Sequence, residues 1–305
     1  MSPRPTLFTE SSLDRRAEAR DDPAWVATAR ADPRTRYVVG AAGAQLVTNG
    51  ASTEIAFLAG DHALVAAAGE ASLTLLGWFR GERCVLVELP TAAASDAFPA
   101  GTELRELRPL APQLPPDSAT LLAYARALGL WRARHRHCGV CGATNVPARA
   151  GHVMRCSREG CGTETFPRLD PAIIVLVTSA DGERALLGRQ ASWPAGRYST
   201  IAGFVEPGES LEDAVIREVA EETGVNVGDV QYESSQPWPF PSSLMLGFRA
   251  VARSHEITLR DGELEDARWF SRADIAAGQP ALPPPGAISA RLIDGWFGAT
   301  PPARW

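Results

Sequence analysis

Three glutamates recur at helical spacing near the middle of the chain: Glu218, Glu221 and Glu222. Residues three and four positions apart share a helix face, so a helix would place the three carboxylates together. Like charges in this arrangement repel by roughly 0.2–0.5 kcal/mol per pair, which an acidic face in water tolerates. A bound Mg²⁺ or Mn²⁺ is the stronger explanation, because hard cations prefer carboxylate oxygens and neutralise phosphate charge in a transition state.

The residues around these glutamates predict how their helix begins, ends and is braced. Ser210 followed by Asp213 is typical of a helix start, and Gly224 lies just past the end, where left-handed geometry is needed. Glu209 precedes the helix, and we expect it to hold Arg217. A solvated acidic face accounts for neither Glu209 nor the loop glycines.

A second cluster is built from sulfur. Four of the five cysteines fall within 24 residues, as a Cys-x2-Cys pair and a Cys-x4-Cys pair: Cys138, Cys141, Cys156 and Cys161. Such spacing predicts a tetrahedral Zn²⁺ site with four sulfur ligands, which leaves no position for substrate and is therefore structural. Free buried thiols are the alternative, and His135 and His137 are alternative ligands. Cys84 lies in an apolar run and indicates a buried strand.

Composition and charge limit the function classes. The 305 residues suit about two domains, and no apolar run approaches the roughly 20 residues needed to cross a bilayer. The N-terminus lacks the apolar core of a secretory signal, so we expect a cytoplasmic protein. The net charge of −6 argues against general nucleic-acid coating. One segment is nevertheless rich in positive charge, and it is either an RNA-binding patch or a solvated basic helix. Its arginines are residues 126, 132, 134, 136, 149, 155 and 158.

Apolar patterning indicates strands mixed with a few helices. The first third predicts strands at residues 36–39, 45–47, 54–58, 63–67, 73–79 and 83–89. Prolines at 109, 112, 115 and 116 indicate a linker, followed by a helix capped by Asp117 and Ser118. Later strands are predicted at residues 171–177, 184–189, 230–234, 244–252 and 267–270, and helices at residues 210–223 and 287–297. This mixture indicates an α+β or α/β-sandwich architecture.

Residues 203–225 resemble the signature of the Nudix hydrolases, G-x5-E-x7-R-E-U-x-E-E-x-G-U, where U is a bulky aliphatic residue. Every specified position matches. The resemblance implies attack of water on phosphorus in a nucleoside diphosphate linked to another group. It further implies that Glu218 and Glu222 bind metal, that Glu221 shares the acidic site and that Glu222 activates the water.

A proline-rich motif follows ten residues later and reads Ser-Gln-Pro-Trp-Pro-Phe-Pro-Ser-Ser over residues 235–243. Its prolines stiffen an extended backbone, and Trp238 and Phe240 can stack on a base or a nicotinamide. Alternatively, the rings pack on the core. The string resembles the signature of the NADH pyrophosphatase branch of the Nudix family, which also has a four-cysteine zinc ribbon and a β-rich N-terminal domain.

The branch resemblance implies an α+β protein with a Nudix α/β/α sandwich, a zinc ribbon and a β-rich N-terminal domain. We expect domains at residues 1–125, 126–165 and 166–305. The resemblance also implies an Ala202 carbonyl and Glu263 on the catalytic metal, with Glu265 and Asp266 as alternatives to Glu263. Substrate contacts are implied for Phe166, Phe204 across a dimer, Gln236, Pro237, Trp238, Pro239, Phe240, Pro241, Ser242, Ser243 and Ser289.

The function implied is hydrolysis of NADH or NAD to nicotinamide mononucleotide and AMP with Mg²⁺ or Mn²⁺. Removal of NAD caps from RNA 5′ ends is implied as well. The resemblance further implies that the protein is a homodimer, and we expect no membrane partner. One alternative is a Nudix hydrolase of ADP-ribose or another nucleoside diphosphate derivative, which leaves Trp238 and Phe240 unexplained. Another is a non-catalytic zinc-ribbon binding protein, which requires damaged carboxylates, whereas all of them are intact.

Overall fold

The computed structural model describes residues 6–10, 12–90, 97–260 and 262–305. Its backbone divides into two compact units. Among these residues, the N-terminal unit comprises those of Phe8–Leu169 and Trp238–Ser242, and the C-terminal unit comprises Thr6–Leu7, Asp170–Pro237 and those of Ser243–Trp305. Within the described part of the chain, none of the helices combines the length and apolarity that crossing a bilayer requires.

The N-terminal unit is built on a mixed six-stranded sheet of order β1-β4-β5-β2-β3-β6, in which β2 and β5 run parallel. Its strands are β1 (Leu13–Asp14), β2 (Arg36–Ala41), β3 (Ala44–Thr48), β4 (Leu73–Phe79), β5 (Glu82–Glu88) and β6 (Thr102–Glu106). Its helices are α1 (Pro23–Ala31), α2 (Ala63–Ala66), α3 (Leu107–Leu110) and α4 (Pro116–Arg134). The expected strands at residues 36–39, 45–47, 73–79 and 83–89 are therefore confirmed.

Four expectations for this unit were wrong. Residues 63–67 form a helical turn, and residues 54–58 make only the bridges of Ile55 and Leu58 to neighbouring strands. The proline stretch is not an open linker, because it folds into α3 and a 3₁₀ turn, Ala111–Gln113, whose leucines are buried. Asp117 and Ser118 do not cap helix α4, which begins at Pro116 after Pro115 as its N-cap. Proline suits the first helical position because it lacks an N–H that the first turn would leave unbonded.

The cysteine cluster lies in a small three-stranded antiparallel sheet of the same unit, formed by β7 (Asn145–Ala148), β8 (Val153–Cys156) and β9 (Glu164–Thr165). Between β7 and β8 the chain turns through Arg149, Ala150 and Gly151, all with positive φ. The turn is tight at Gly151, where a Cβ would lie 2.6 Å from the Thr74 hydroxyl oxygen.

The C-terminal unit is a sandwich around a mixed sheet of order β13-β14-β10-β11-β15, with β12 paired to β10. Its strands are β10 (Asp170–Thr178), β11 (Arg184–Arg189), β12 (Ile201–Phe204), β13 (Val227–Trp238), β14 (Ser243–Ala252) and β15 (Asp266–Ser271). Its helices are α5 (Leu211–Thr223), α6 (Arg272–Ala276) and α7 (Ile288–Phe297). All five strands and both helices expected in this part of the chain are present, and β13 extends through Trp238.

Strand β10 shows why this is a three-layer fold. Alternate side chains of a strand face opposite sides of its sheet. Ile173 and Val175 pack with the apolar side of α5, whereas Ile174 and Leu176 pack with α7. The α/β/α sandwich predicted from the sequence is confirmed, and it presents the polar side of α5 outward.

Candidate active site and zinc centre

Helix α5 is fixed at both ends and along its apolar face, as its sequence predicts. The Ser210 hydroxyl accepts a hydrogen bond from the Asp213 amide at 3.1 Å, and Gly224 ends the helix with φ of 71°. Ala214, Val215 and Val219 are fully buried against the sheet. The acidic residues are consequently carried on a helix that has little freedom to turn.

Arg217 organises the acidic face, and its predicted contact with Glu209 is confirmed. Its Nε and Nη2 donate to the two Glu209 oxygens at 2.8 and 3.0 Å. Nη1 donates to Glu218 and Glu221, both at 2.9 Å, and Nη2 also reaches the Phe204 carbonyl at 2.9 Å. The guanidinium lowers the pKa of Glu209 and thereby keeps it ionised as a brace.

Burial differs among the three glutamates. Glu222 is 3% exposed, Glu218 is half-buried and Glu221 is exposed. Glu218 lies against Gly203 of β12, where a Cβ would overlap its carboxylate. Burial raises the pKa of Glu218 against the opposing effect of Arg217, and the negative charges of Glu221 and Glu263 raise it further. Ionising these groups together is therefore costly unless positive charge is added.

Glu263 differs in its interactions from Glu265 and Asp266, the two alternative metal ligands. Glu265 forms an ion pair with Arg189, and Asp266 accepts from the Tyr198 hydroxyl. The charge of Glu263, in contrast, acts on Glu218. With the exposed Ala202 on β12, the C-terminal unit thus offers carboxylate and carbonyl oxygens, the donor set that a hard divalent cation prefers. Arg260, which the sequence analysis missed, lines an open pocket with Arg217 and Glu221.

Gln236, an expected substrate contact, is buried and braces the C-terminal unit. It is 1% exposed and donates to the Leu7 and Gly286 carbonyls at 3.1 and 2.9 Å, while its oxygen accepts from the Ile288 amide at 2.9 Å. Its side-chain amide is fully used within the protein. Ser289 is also buried, and its hydroxyl bonds Ser199 and Thr200.

The aromatic residues of the proline-rich motif lie in the N-terminal unit. The Trp238 and Phe240 rings are half-buried and meet edge to face at 5.1 Å. Pro239 between them is buried, whereas Pro237 and Pro241 are exposed. Ser242 follows them and is half-buried, and Ser243 is buried where β14 pairs with β10. The other two expected aromatic contacts, Phe166 and Phe204, are 56% and 59% exposed.

The four clustered cysteines converge as predicted, with all four sulfurs within 4.8 Å of one another. The Cys138–Cys161 and Cys141–Cys156 sulfurs are 3.9 and 3.4 Å apart. Ligands about 2.3 Å from a tetrahedral Zn²⁺ stand about 3.8 Å apart, so the cluster has the dimensions of a four-sulfur zinc site. The Val140 amide donates to Cys138 at 3.4 Å, and such donors lower the pKa of this thiol.

Other residues identified from the sequence have structural positions. Cys84 is fully buried in β5, as predicted, and burial raises the pKa of its thiol to about 12. The arginines of the basic region differ in their surroundings, because Arg132 is buried and donates to the backbone carbonyls of Ala71 and Leu73. Arg149 and Arg155 are exposed but form ion pairs with Asp21 and Glu164, and Arg134, Arg136 and Arg158 are exposed as well.

Comparison with protein families assigns all three parts of the chain. A NUDIX domain matches residues 168–292, an NADH pyrophosphatase zinc ribbon domain matches residues 133–166, and an NADH pyrophosphatase-like rudimentary NUDIX domain matches residues 34–131. The ribbon match covers all four clustered cysteines. The NUDIX match contains the whole of α5 together with Glu209 and Glu263.

Curated relatives agree with these matches. The NAD-capped RNA hydrolase NudC of Stutzerimonas stutzeri is 46% identical over 220 residues, which is 72% of this chain and 75% of that protein. The NAD-capped RNA hydrolases NUDT12 of Macaca fascicularis and Homo sapiens are 44% and 43% identical over 202 residues. Those alignments cover 62% of this chain and 44% of each NUDT12. The chain therefore belongs to the Nudix hydrolase family, in the NADH pyrophosphatase branch that includes NudC.

Proposed function

We propose that this protein hydrolyses the pyrophosphate of NADH or NAD, giving nicotinamide mononucleotide (reduced when NADH is the substrate) and AMP. The observation that carries the proposal is a set of hydrogen bonds from Arg217. They hold Glu218 and Glu221 on the rigid α5 together with Glu209 of the preceding loop. The names of the curated relatives, NAD-capped RNA hydrolases, support the same pyrophosphate in an RNA 5′ cap as a second substrate.

We assign Glu218, Glu222, Glu263 and the Ala202 carbonyl as the residues that hold Mg²⁺ or Mn²⁺. Such a cation neutralises charge on the phosphate oxygens of the substrate. Glu222 takes the proton of the attacking water, and its burial keeps that carboxylate away from bulk solvent. Arg217 and Glu209 keep the acidic side of the helix aligned with Phe204 at the end of β12.

Substrate recognition is assigned to the exposed Phe166 and Phe204 and to the half-buried Trp238 and Phe240. Aromatic rings stack on bases and on nicotinamide with about 1–3 kcal/mol each. Gln236 and Ser289 support these contacts indirectly, since their side chains form hydrogen bonds within the protein. We retain the domain division 1–125, 126–165 and 166–305 for this assignment, with catalysis in the last domain.

A homodimer is part of the proposal, with Phe204 contacting substrate across the dimer. Light scattering during size-exclusion chromatography should give twice the 32.5 kDa chain mass. A monomer that retains full activity would remove Phe204 from the partner's site. The cytoplasmic location stays a prediction from the sequence.

Product analysis tests the function directly. The protein is incubated with NADH, NAD, ADP-ribose and NAD-capped RNA at matched concentrations, and products are separated by chromatography. We expect AMP and nicotinamide mononucleotide from the dinucleotides and a 5′-monophosphate RNA from the capped RNA. Cleavage of ADP-ribose alone would overturn the proposal in favour of the ADP-ribose alternative.

The RNA part has its own test. Neutralising the exposed Arg134, Arg136 and Arg158 should weaken cleavage of capped RNA and flatten its salt dependence, because each lost phosphate contact reduces counterion release. Cleavage of free NADH should be unchanged in the same variant. Unchanged cleavage of capped RNA would eliminate the ribbon arginines as RNA contacts.

A further inference from the structure

The segment Trp238–Ser242 clusters with the N-terminal unit, although the strands on both sides of it belong mainly to the C-terminal unit. We propose that Arg126 of α4 is a positioning residue that, with Arg108, fixes the Trp238 and Phe240 rings for substrate recognition. This inference rests on the proposed function of those rings. It gives the rudimentary Nudix domain a specific task in the reaction.

Arg126 contacts both the backbone and a ring of the segment. Its Nη1 donates to the carbonyl of the buried Pro239, and its guanidinium carbon lies 4.8 Å from the centre of the Phe240 ring. A planar guanidinium can make an in-plane hydrogen bond and stack on an aromatic face at the same time, which a lysine ammonium cannot do. One side chain thereby restrains two successive residues.

The remaining contacts restrain the other ring and the far side of the segment. Arg108 of α3 places its guanidinium carbon 5.5 Å from the centre of the Trp238 ring. The Phe8 ring lies 6.0 Å from the Phe240 ring, centre to centre. Each of the two recognition rings therefore has its own cation, and their mutual edge-to-face contact couples them.

The position of Arg126 is built into the fold. The side chain is half-buried, and burial lowers the pKa of its guanidinium. Gly43, with φ of 88° in the β2–β3 turn, leaves the space beside it, since a Cβ there would lie 3.3 Å from Nη2. A cation withdrawn from water in this way requires compensating interactions, and Arg126 has them with the recognition segment and with the negative charge of Glu106.

Fixing the segment before substrate arrives reduces the entropy lost on binding. The consequence is a KM effect, because the hydrolytic groups on α5 are not touched. Arg126→Met keeps the apolar stem of the side chain and its packing while removing the hydrogen bond and the charge. We expect KM for NADH to rise about tenfold with kcat changed less than about twofold.

The structural readout is hydrogen exchange of the peptide covering residues 235–245. Arg126→Met should speed exchange there, including at the Phe240 amide, which donates to the Trp238 carbonyl at 2.7 Å, and leave residues 211–223 unchanged. Arg34→Met is the matched control, because Arg34 lies in the same unit, is exposed and pairs with Asp32. Arg126→Lys keeps the positive charge, and its KM for NADH should lie between those of Arg126→Met and the wild type.

Trp238→Ala separates this inference from the function on which it rests. If Trp238→Ala raises KM while Arg126→Met changes neither KM nor exchange, the positioning role is overturned. If Trp238→Ala leaves KM unchanged, the proposed recognition function of the ring fails. In that case, faster exchange in Arg126→Met would still establish that Arg126 orders the segment, and unchanged exchange would overturn both.

Discussion

The two sheets of this protein share a frame and differ in chemistry. In the N-terminal unit β2 runs parallel to β5, and in the C-terminal unit β10 runs parallel to β14, each within a mixed sheet. The first matches a rudimentary NUDIX domain and the second a NUDIX domain. The frame alone therefore does not define the reaction.

The helices that pack on these sheets carry the difference. Helix α4 buries Leu121, Leu122 and Leu128 and uses Arg132 to bond backbone carbonyls of its own unit. Helix α5 also buries an apolar face but carries acidic residues on the other side, braced by Arg217. In one unit charge stabilises the fold, and in the other it is concentrated for chemistry.

Replacing one carboxylate of α5 should have the largest effect, because it removes the chemistry that distinguishes α5 from α4. Glu222→Gln is expected to lower kcat by about 10²–10⁴-fold, because it removes the proposed base and a metal ligand together. The melting temperature should stay the same or rise, since the shape is kept and repulsion from Glu218 and Glu221 is relieved. Steady-state hydrolysis of NADH and differential scanning calorimetry measure the two effects.

Glu212→Gln is the control, because Glu212 is exposed in the first turn of the same helix. It should retain turnover within about twofold. Equal activity of the Glu222 and Glu212 variants would refute the assignment of the catalytic carboxylates.

The zinc centre offers the next largest effect, this time on the N-terminal unit. Cys156→Ser should release zinc and destabilise that unit by several kcal/mol, about 10 °C in melting temperature, because a structural zinc site contributes directly to folding. Metal content is measured by mass spectrometry and unfolding by calorimetry. We expect one zinc per chain before the substitution.

Cys84→Ala provides the contrast, since Cys84 is buried in β5 outside the cluster. It should destabilise the fold modestly and retain the zinc. Full zinc content in Cys156→Ser would show that the four sulfurs are not the ligands.

The difference between the units also explains how far the sequence could be read. The α5 region was predictable because short-range signals agree: a capping serine, apolar residues at helical spacing, a terminal glycine and the Glu209–Arg217 pair. The zinc cluster was predictable because ligand spacing is a local property.

Residues 63–67 were misread as a strand because a short apolar run fits a strand and a helical turn equally well. The bracing contacts of Gln236 and Arg126 could not be predicted because their partners are far along the chain. Gln236 bonds Leu7 and Gly286, and Arg126 bonds Pro239, so composition and spacing carry no sign of either contact.

A smaller effect is expected for the brace of the acidic helix. Arg217→Lys keeps a positive charge but cannot bond Glu209, Glu218, Glu221 and the Phe204 carbonyl together. We expect kcat to fall about 10–100-fold, since misplacing catalytic groups by about 1 Å costs about 10²-fold. Unchanged kcat in this variant would mean that the acidic face holds its geometry without the brace.

The smallest effect concerns a half-buried carboxylate of the N-terminal unit, Glu88 at the end of β5. It packs against Gly40 and Gly129, where a Cβ would overlap it, and burial raises its pKa from 4.5 to about 7 despite the opposing charge of Arg132. Because the folded state binds this proton more tightly than the unfolded chain, the stabilisation is complete below pH 4.5 and is lost as pH rises through about 7.

Glu88→Gln should therefore unfold like the wild type at pH 4.5 and be more stable by roughly 1–3 kcal/mol at pH 8. His152 works in the opposite direction, because burial lowers its pKa from 6.5 to about 4, so its stabilisation is present above pH 6.5 and is lost as pH falls through about 4. The His152 contribution cancels in the difference between the two proteins. Urea unfolding across this pH range gives that difference, and a constant value would mean that Glu88 ionises in the folded unit as readily as in water. Glu88 would then differ from Glu218, whose pKa burial also raises, and the two units would not share even this property.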